Sequence, residues 1–182
     1  DKGCAHIPQP SEKTEHPTPV AAEIAVHNVC TLRKQFAIQN YLAQLAAKRI
    51  LLTGILEARQ RHDGITSVFT RGPDGTKNGT FSLASSAASK AGNYGCSLCV
   101  NHDVPIATRG GRAIRIPATA LSICYADPRL LLVRISTSSF WLLVIVAHGP
   151  HAKDVNPEAA PDFWGNVLLP VGKVSTVGDA IV

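Results

Sequence analysis

The chain has 182 residues, 45% of them hydrophobic and 17% charged, enough to bury one good core in an ordinary globular domain. A net charge of +5 and a sequence pI near 9.1 lean toward polyanionic partners, but an excess of this size spread along the chain does not by itself establish nucleic-acid binding. Five cysteines, an odd number without regular spacing, argue against a disulfide framework and for reduced thiols of an intracellular protein, nuclear or cytoplasmic.

Residues 1 to 20 carry Pro8, Pro10, Pro17 and Pro19 among polar side chains, with too few large apolar groups to offset the entropy of ordering, so a disordered tail is expected. A β-prone stretch runs from Glu23 to Asn28. Phe36, Tyr41, Leu42, Leu45 and Ala46 then recur at helical spacing, which predicts an amphipathic helix over Arg33 to Lys48. Ile50 to Leu56 reads as a strand, completing a β-α-β opening. After Glu57 short strands alternate with punctuation: Gly72-Pro73-Asp74-Gly75 and Asn78-Gly79 read as turns, and Ser85 to Gly92 as a small-residue loop.

Further strands are predicted at Ile65–Thr70, Gly95–Val100, Ala113–Ile116, Ala120–Tyr125, Leu130–Ile135 and Phe140–Ala147. The last three are joined by short links and read as antiparallel neighbours whose continuous apolar character implies cover on both faces. The longest of these apolar runs, Phe140 to Ala147, has eight residues, far below the roughly 20 that cross a bilayer as a helix, and the start of the chain carries no signal-peptide core. No membrane span is expected. Asn156 and Pro157 fit the start of a helix reaching Asn166, Val167 to Leu169 a short strand, and Val171 to Val182 no element.

Three polar side chains stand at strand ends. Asn28 closes the first strand within His27-Asn28-Val29-Cys30-Thr31-Leu32, Glu57 follows Ile50–Leu56, and His148 opens His148-Gly149-Pro150 after the last long strand. In this order the motifs resemble the endonuclease/exonuclease/phosphatase superfamily, especially the endonuclease-like domains of non-LTR retroelements, over about residues 23 to 164. The resemblance implies an α/β fold, the N-terminal portion of a four-layer DNase I-like α/β sandwich with a mixed, mostly antiparallel sheet and flanking helices. On it, residues 21–170 form a partial domain between the 1–20 tail and an irregular 171–182 tail.

The activity implied is Mg²⁺- or Mn²⁺-dependent hydrolysis of phosphodiesters in nucleic acid, DNA before RNA. Glu57 would be the metal ligand, Asn28 would support the metal or the attacking water, and His148 would hydrogen-bond or protonate the phosphate. Arg59, Arg61 and His62 would contact the nucleic-acid backbone. The family's Gly-Asp-x-Asn and Ser-Asp-His segments are absent, which implies C-terminal truncation and impaired catalysis. The alternative is a non-enzymatic retroelement remnant or a nucleic-acid- or protein-binding module. A missing second half also predicts an exposed sheet edge and self-association.

Cys96, Cys99 and His102 do not make a zinc site, because a structural site needs four ligands and strand alternation turns Cys96 and Cys99 to opposite faces. Cys30 and Cys124 read as small buried residues in apolar strands, and Ser136 to Ser139 as a loop without a nucleophile.

Overall fold

The computed structural model describes residues 16–72, 75–138, 140–149, 163–165, 169–170 and 180–181. Its elements in chain order are β1 (Thr18–Pro19), β2 (Glu23–Asn28), α1 (Gln35–Ala47), β3 (Ile50–Leu56), β4 (Gly64–Arg71), β5 (Lys77–Ser85), β6 (Cys96–Asn101), β7 (Pro105–Arg109) and β8 (Arg112–Arg115). A 3₁₀ turn at Ala118–Ala120 leads into β9 (Leu121–Asp127), β10 (Leu130–Ser136), β11 (Trp141–Ala147) and β12 (Ala180–Ile181). The protein is α/β, with one mixed five-stranded sheet in the order β2-β3-β6-β5-β4, one four-stranded sheet in the order β12-β11-β10-β9, and a small β1-β7-β8 sheet.

The opening is the predicted β-α-β unit, with β2 and β3 paired in parallel through α1. Leu42 and Leu45 are the buried residues of α1. They pack on Ile50, Ile55, Phe81, Leu83 and Cys99, on the outer face of the five-stranded sheet. The inner face of that sheet meets the four-stranded sheet: Leu52, Leu98 and Val100 lie against Leu131, Val133, Ile135, Val144 and Val146 in the largest core cluster. The strands β9, β10 and β11 are antiparallel neighbours as expected. The far face of their sheet is also covered, by a smaller cluster of Leu130, Leu132 and Leu143 that includes Phe163. The described residues thus form helix, sheet and sheet, with Phe163 packed on the far face of the second sheet.

Several expectations change. Thr18 and Pro19, assigned to the tail, pair with Thr108 and Ala107 as an edge strand, a position where the missing N–H of proline is tolerated. The strand β7 was not predicted. It makes a hairpin with β8 through Gly110 (φ 54°) and Gly111 (φ 73°), the two positive φ values that a tight hairpin turn requires.

Asn78-Gly79 is not a turn, because both residues lie inside β5, whose Gly79 pairs with Thr70. A Cβ on Gly79 would sit 2.7 Å from both Phe81 Cε2 and Thr70 Oγ1, so this glycine answers to crowding between α1 and the sheet. Ala180–Ile181 forms a short parallel pairing with Leu142–Leu143 of β11, where no element was expected. Of the predicted 157–166 helix, residues 163–165 are helical and the rest lies outside the described residues; Leu169 is helical rather than a strand end, and 167–168 lie outside them.

Cys30, expected to be buried in a strand, is exposed just beyond β2. The buried His102 is matched at both ring nitrogens. His102 joins Ser82 Oγ through Nε2 and the Ile116 carbonyl through Nδ1, both at 2.8 Å, which accounts for a buried imidazole structurally. Burial pushes the Cys96 thiol up to about 12 and that of Cys99 higher still, so neither is a metal-ready thiolate. No helix among the described residues is long and apolar enough to cross a membrane.

We expect Gly79→Ala to cost about 1–3 kcal/mol in denaturant unfolding, the usual penalty of overpacking a filled core. A loss below ~0.5 kcal/mol would show that Phe81 and Thr70 yield freely.

Candidate functional site

The three strand-end residues meet. Asn28 Nδ2 donates to Glu57 Oε1 at 3.0 Å, and His148 Nε2 lies 3.5 Å from the same oxygen. Arg59 Nη2 donates to the other oxygen, Oε2, also at 3.0 Å. Residues separated by 29 and 91 positions in sequence therefore converge on one carboxylate at the rim of the sandwich, where β2, β3 and β11 all end.

The convergence follows from how the chain leaves β3. Val29 N–H donates to the Leu56 carbonyl and Leu32 N–H to that of Ala58, while on the other side Ala58 N–H donates to the Gly95 carbonyl and Arg59 N–H to that of Tyr94. Residues 56–59 are thus held between the segments that follow β2 and precede β6, with Ala58 fully buried. Within this passage Glu57 (φ 57°) and Arg59 (φ 53°) adopt the left-handed region, as do Cys30 (φ 58°) and Tyr94 (φ 64°) on either side. Non-glycine residues in that region cost of order 1–3 kcal/mol each and concentrate where a site imposes them. Gly95 (φ 91°) is required here: a Cβ would stand 2.9 Å from the Arg59 nitrogen.

Asn28 uses both ends of its amide. Its Oδ1 accepts from Cys30 N–H at 3.1 Å, which turns Nδ2 toward Glu57. That hydrogen bond is the main reason the Glu57 carboxyl is held below the usual carboxylate range; Arg59 and His148 add to the effect, and partial burial opposes it. Glu57 is accordingly an ionised, part-exposed carboxylate, its side chain 16% accessible.

His148 is buried at 4%, and its N–H donates to the Arg129 carbonyl at 2.8 Å. Its ring lies 5.4 Å from that of Tyr94, over which the Arg129 guanidinium stacks at 4.0 Å while also donating to the Tyr94 hydroxyl. Tyr94 and Arg129 escape a reading of the sequence. Tyr94 follows a small-residue loop, and Arg129 follows the Asp127-Pro128 link; the cue that joins them is the Pro128 carbonyl accepting from Gly95 N–H. Of the His148-Gly149-Pro150 motif, Pro150 lies outside the described residues. Gly149 faces the half-exposed Trp164 indole, 3.6 Å from where its Cβ would be.

Arg61 and His62 do not join the Glu57 cluster. They are exposed and, with Arg33, Gln60 and Asp63, line a neighbouring open cavity of about 300 Å³. The two regions are linked by Arg33, whose Nε donates to the Arg59 carbonyl at 2.9 Å.

No group of three or more His, Cys, Asp or Glu side chains among the described residues is placed to hold a metal ion. Mg²⁺, however, is often carried by one or two carboxylates and completes its shell with water and substrate phosphates. Glu57, ionised and part-exposed, fits that single-carboxylate role, with Arg59 displaced from Oε2.

No protein-family model matches the chain, and no curated protein matches it. Among solved structures it is similar to the endonuclease domain of TRAS1, a telomere-specific non-LTR retrotransposon, with a TM-score of 0.40 and 12% identity over 84% of this chain and 54% of that one. The chain thus spans about half the length of that structure.

A depressed carboxyl pKa stabilises the fold above the ordinary carboxylate range, and that contribution fades as pH falls through the native value. The stability difference between the wild type and Glu57→Gln should therefore stay constant above the ordinary carboxylate range and shrink as pH falls below it in denaturant titrations. A pH-independent difference would contradict the assigned ionisation.

Proposed function

We propose that the Asn28–Glu57–His148 cluster is the phosphodiester-handling centre of an endonuclease-type hydrolase acting on nucleic acid, DNA rather than RNA, with turnover weakened by an incomplete catalytic set. The observation that carries this reading is the meeting of an amide, an ionised carboxylate and a buried imidazole on one carboxylate oxygen, within 3.0 and 3.5 Å, at the open rim of a sandwich. Phosphodiester cleavage builds charge on the phosphorane oxygens, and a Mg²⁺ ion carried by Glu57 would supply the counter-charge.

The remaining work falls to the chain. His148, fixed by its backbone contact to Arg129 and by the neighbouring Tyr94 ring, offers a hydrogen bond to a non-bridging or leaving oxygen. Asn28 fixes the orientation of Glu57. A phosphate entering the site competes for the Arg59 guanidinium, which releases Oε2 of Glu57. Arg33, Arg61 and His62 supply cationic or hydrogen-bonding groups in the adjoining cavity for the flanking backbone, and the exposed Trp164 face offers a stacking surface for a base.

A binding module without turnover is the second reading. The Arg59 contact favours it, because a guanidinium already neutralises the carboxylate that a metal ion would need.

Nicking of supercoiled plasmid by the purified chain with Mg²⁺ or Mn²⁺ separates the two. We expect slow, EDTA-sensitive nicking that Glu57→Gln lowers by about 10²–10³-fold, as loss of one principal electrostatic group does. Retention of plasmid by a folded chain without nicking would establish the binding module, and nicking indifferent to Glu57→Gln would remove this cluster from the chemistry.

A further inference from the structure

We infer that β2 is a self-complementary edge through which two copies of the chain pair antiparallel, joining their five-stranded sheets. The inference is independent of the proposed activity. Strand β2 is the last strand of its sheet and pairs with β3 alone among the described residues. An edge of this kind presents unpaired N–H and C=O groups, and protected edges carry lysine, proline or a bulge. Glu23–Asn28 has neither lysine nor proline, and the register shift beside Glu23 falls on β3, where Leu51 is the extra residue, so β2 itself runs straight.

The two faces of β2 differ. Ala25 packs toward α1, and His27 Nδ1 lies 2.8 Å from the Tyr41 hydroxyl of that helix. Ile24 and Val26 turn the other way and line an apolar cleft of about 180 Å³ between the two sheets, with Leu52, Leu56, Leu98 and Val144. They remain 56% and 66% exposed, a large apolar display for adjacent same-face positions on a six-residue strand.

A two-fold axis perpendicular to the sheet keeps like faces together and so pairs residues of equal parity. With the axis on Ala25, Glu23 lies opposite His27 of the partner subunit, and Ile24 lies opposite Val26 of the partner subunit. Symmetry repeats both pairs. Each Glu23 carboxylate then meets a His27 imidazole, a hydrogen-bond donor, on the helix side, and each apolar residue meets an apolar one over the cleft. Moving the axis to Val26 sets Ala25 against His27 of the partner subunit and leaves Glu23 unmatched. The match of the anionic Glu23 acceptor to the His27 donor, twice over, therefore selects both a second copy as the occupant and the register, since complementary polar pairs directly across strands attract.

Sedimentation velocity of the full chain over a concentration series tests this. We expect a reversible dimer that Val26→Lys abolishes and whose dissociation constant Glu23→Lys raises about tenfold by removing the acceptor of two cross-strand pairs. The double variant Glu23→Lys/His27→Glu restores dimerisation at least to the wild-type level. A monomer at every concentration with cooperative unfolding overturns the proposal, as does a dimer indifferent to Val26→Lys, or a Glu23→Lys loss that the second swap fails to recover. If Val26→Lys prevents folding, the charge-swap series on exposed positions decides alone.

Discussion

The site depends on how residues 56–59 leave the five-stranded sheet. Beyond β3 the backbone continues to exchange hydrogen bonds on both sides, with Val29 and Leu32 on one flank and Tyr94 and Gly95 on the other. Ala58, fully buried, is the anchor of this passage. With it fixed, Glu57 and Arg59 project from left-handed backbone toward the rim, and the contact between Gly95 and the Arg59 backbone leaves no room for a side chain. The strain of several positive φ values is held by these hydrogen bonds and by the core beneath. The same passage brings in Tyr94, hence Arg129, and through its carbonyl His148.

The electrostatics of the cluster are closed on themselves. Glu57 is held ionised mainly by the Asn28 amide, and Arg59 completes a neutral pair across its second oxygen. Such a pair is stable when nothing else is bound, and any anion that attracts the guanidinium opens the carboxylate. Both proposed readings, hydrolysis and simple binding, would start from the same event, the transfer of Arg59 from Glu57 to a phosphate oxygen. They diverge in whether the released carboxylate then takes a cation.

Local pattern carried much of the fold. A β-prone stretch located β2, an apolar run located β3, helical spacing located α1, and the three apolar runs joined by short links located β9, β10 and β11. The errors have physical causes. Asn78-Gly79 is a strong turn signal, yet here the glycine is required because Phe81 and Thr70 fill the space of its Cβ, and a tertiary demand of that kind leaves no local mark. Pro19 argued against a strand where an edge position removes the objection. Within the site, Asn28, Glu57 and His148 were legible as polar residues closing apolar strands. Their contacts were not, because they arise from left-handed backbone at ordinary residues such as Glu57 and Arg59, which sequence does not flag. Arg61 and His62 sat close to Glu57 in sequence, but the chain turns them into the neighbouring cavity.

The measurement that tests the central claim most directly is side-chain NMR of the ¹⁵N-labelled protein during titration with a short DNA duplex in the presence of Mg²⁺. The account predicts that the Asn28 amide, the Arg59 guanidinium and the His148 imidazole shift together, on one binding curve, and that Glu57→Gln alters the response of all three. Saturable binding that leaves these groups unmoved, with shifts confined elsewhere, would contradict the assignment of this cluster to phosphodiester handling.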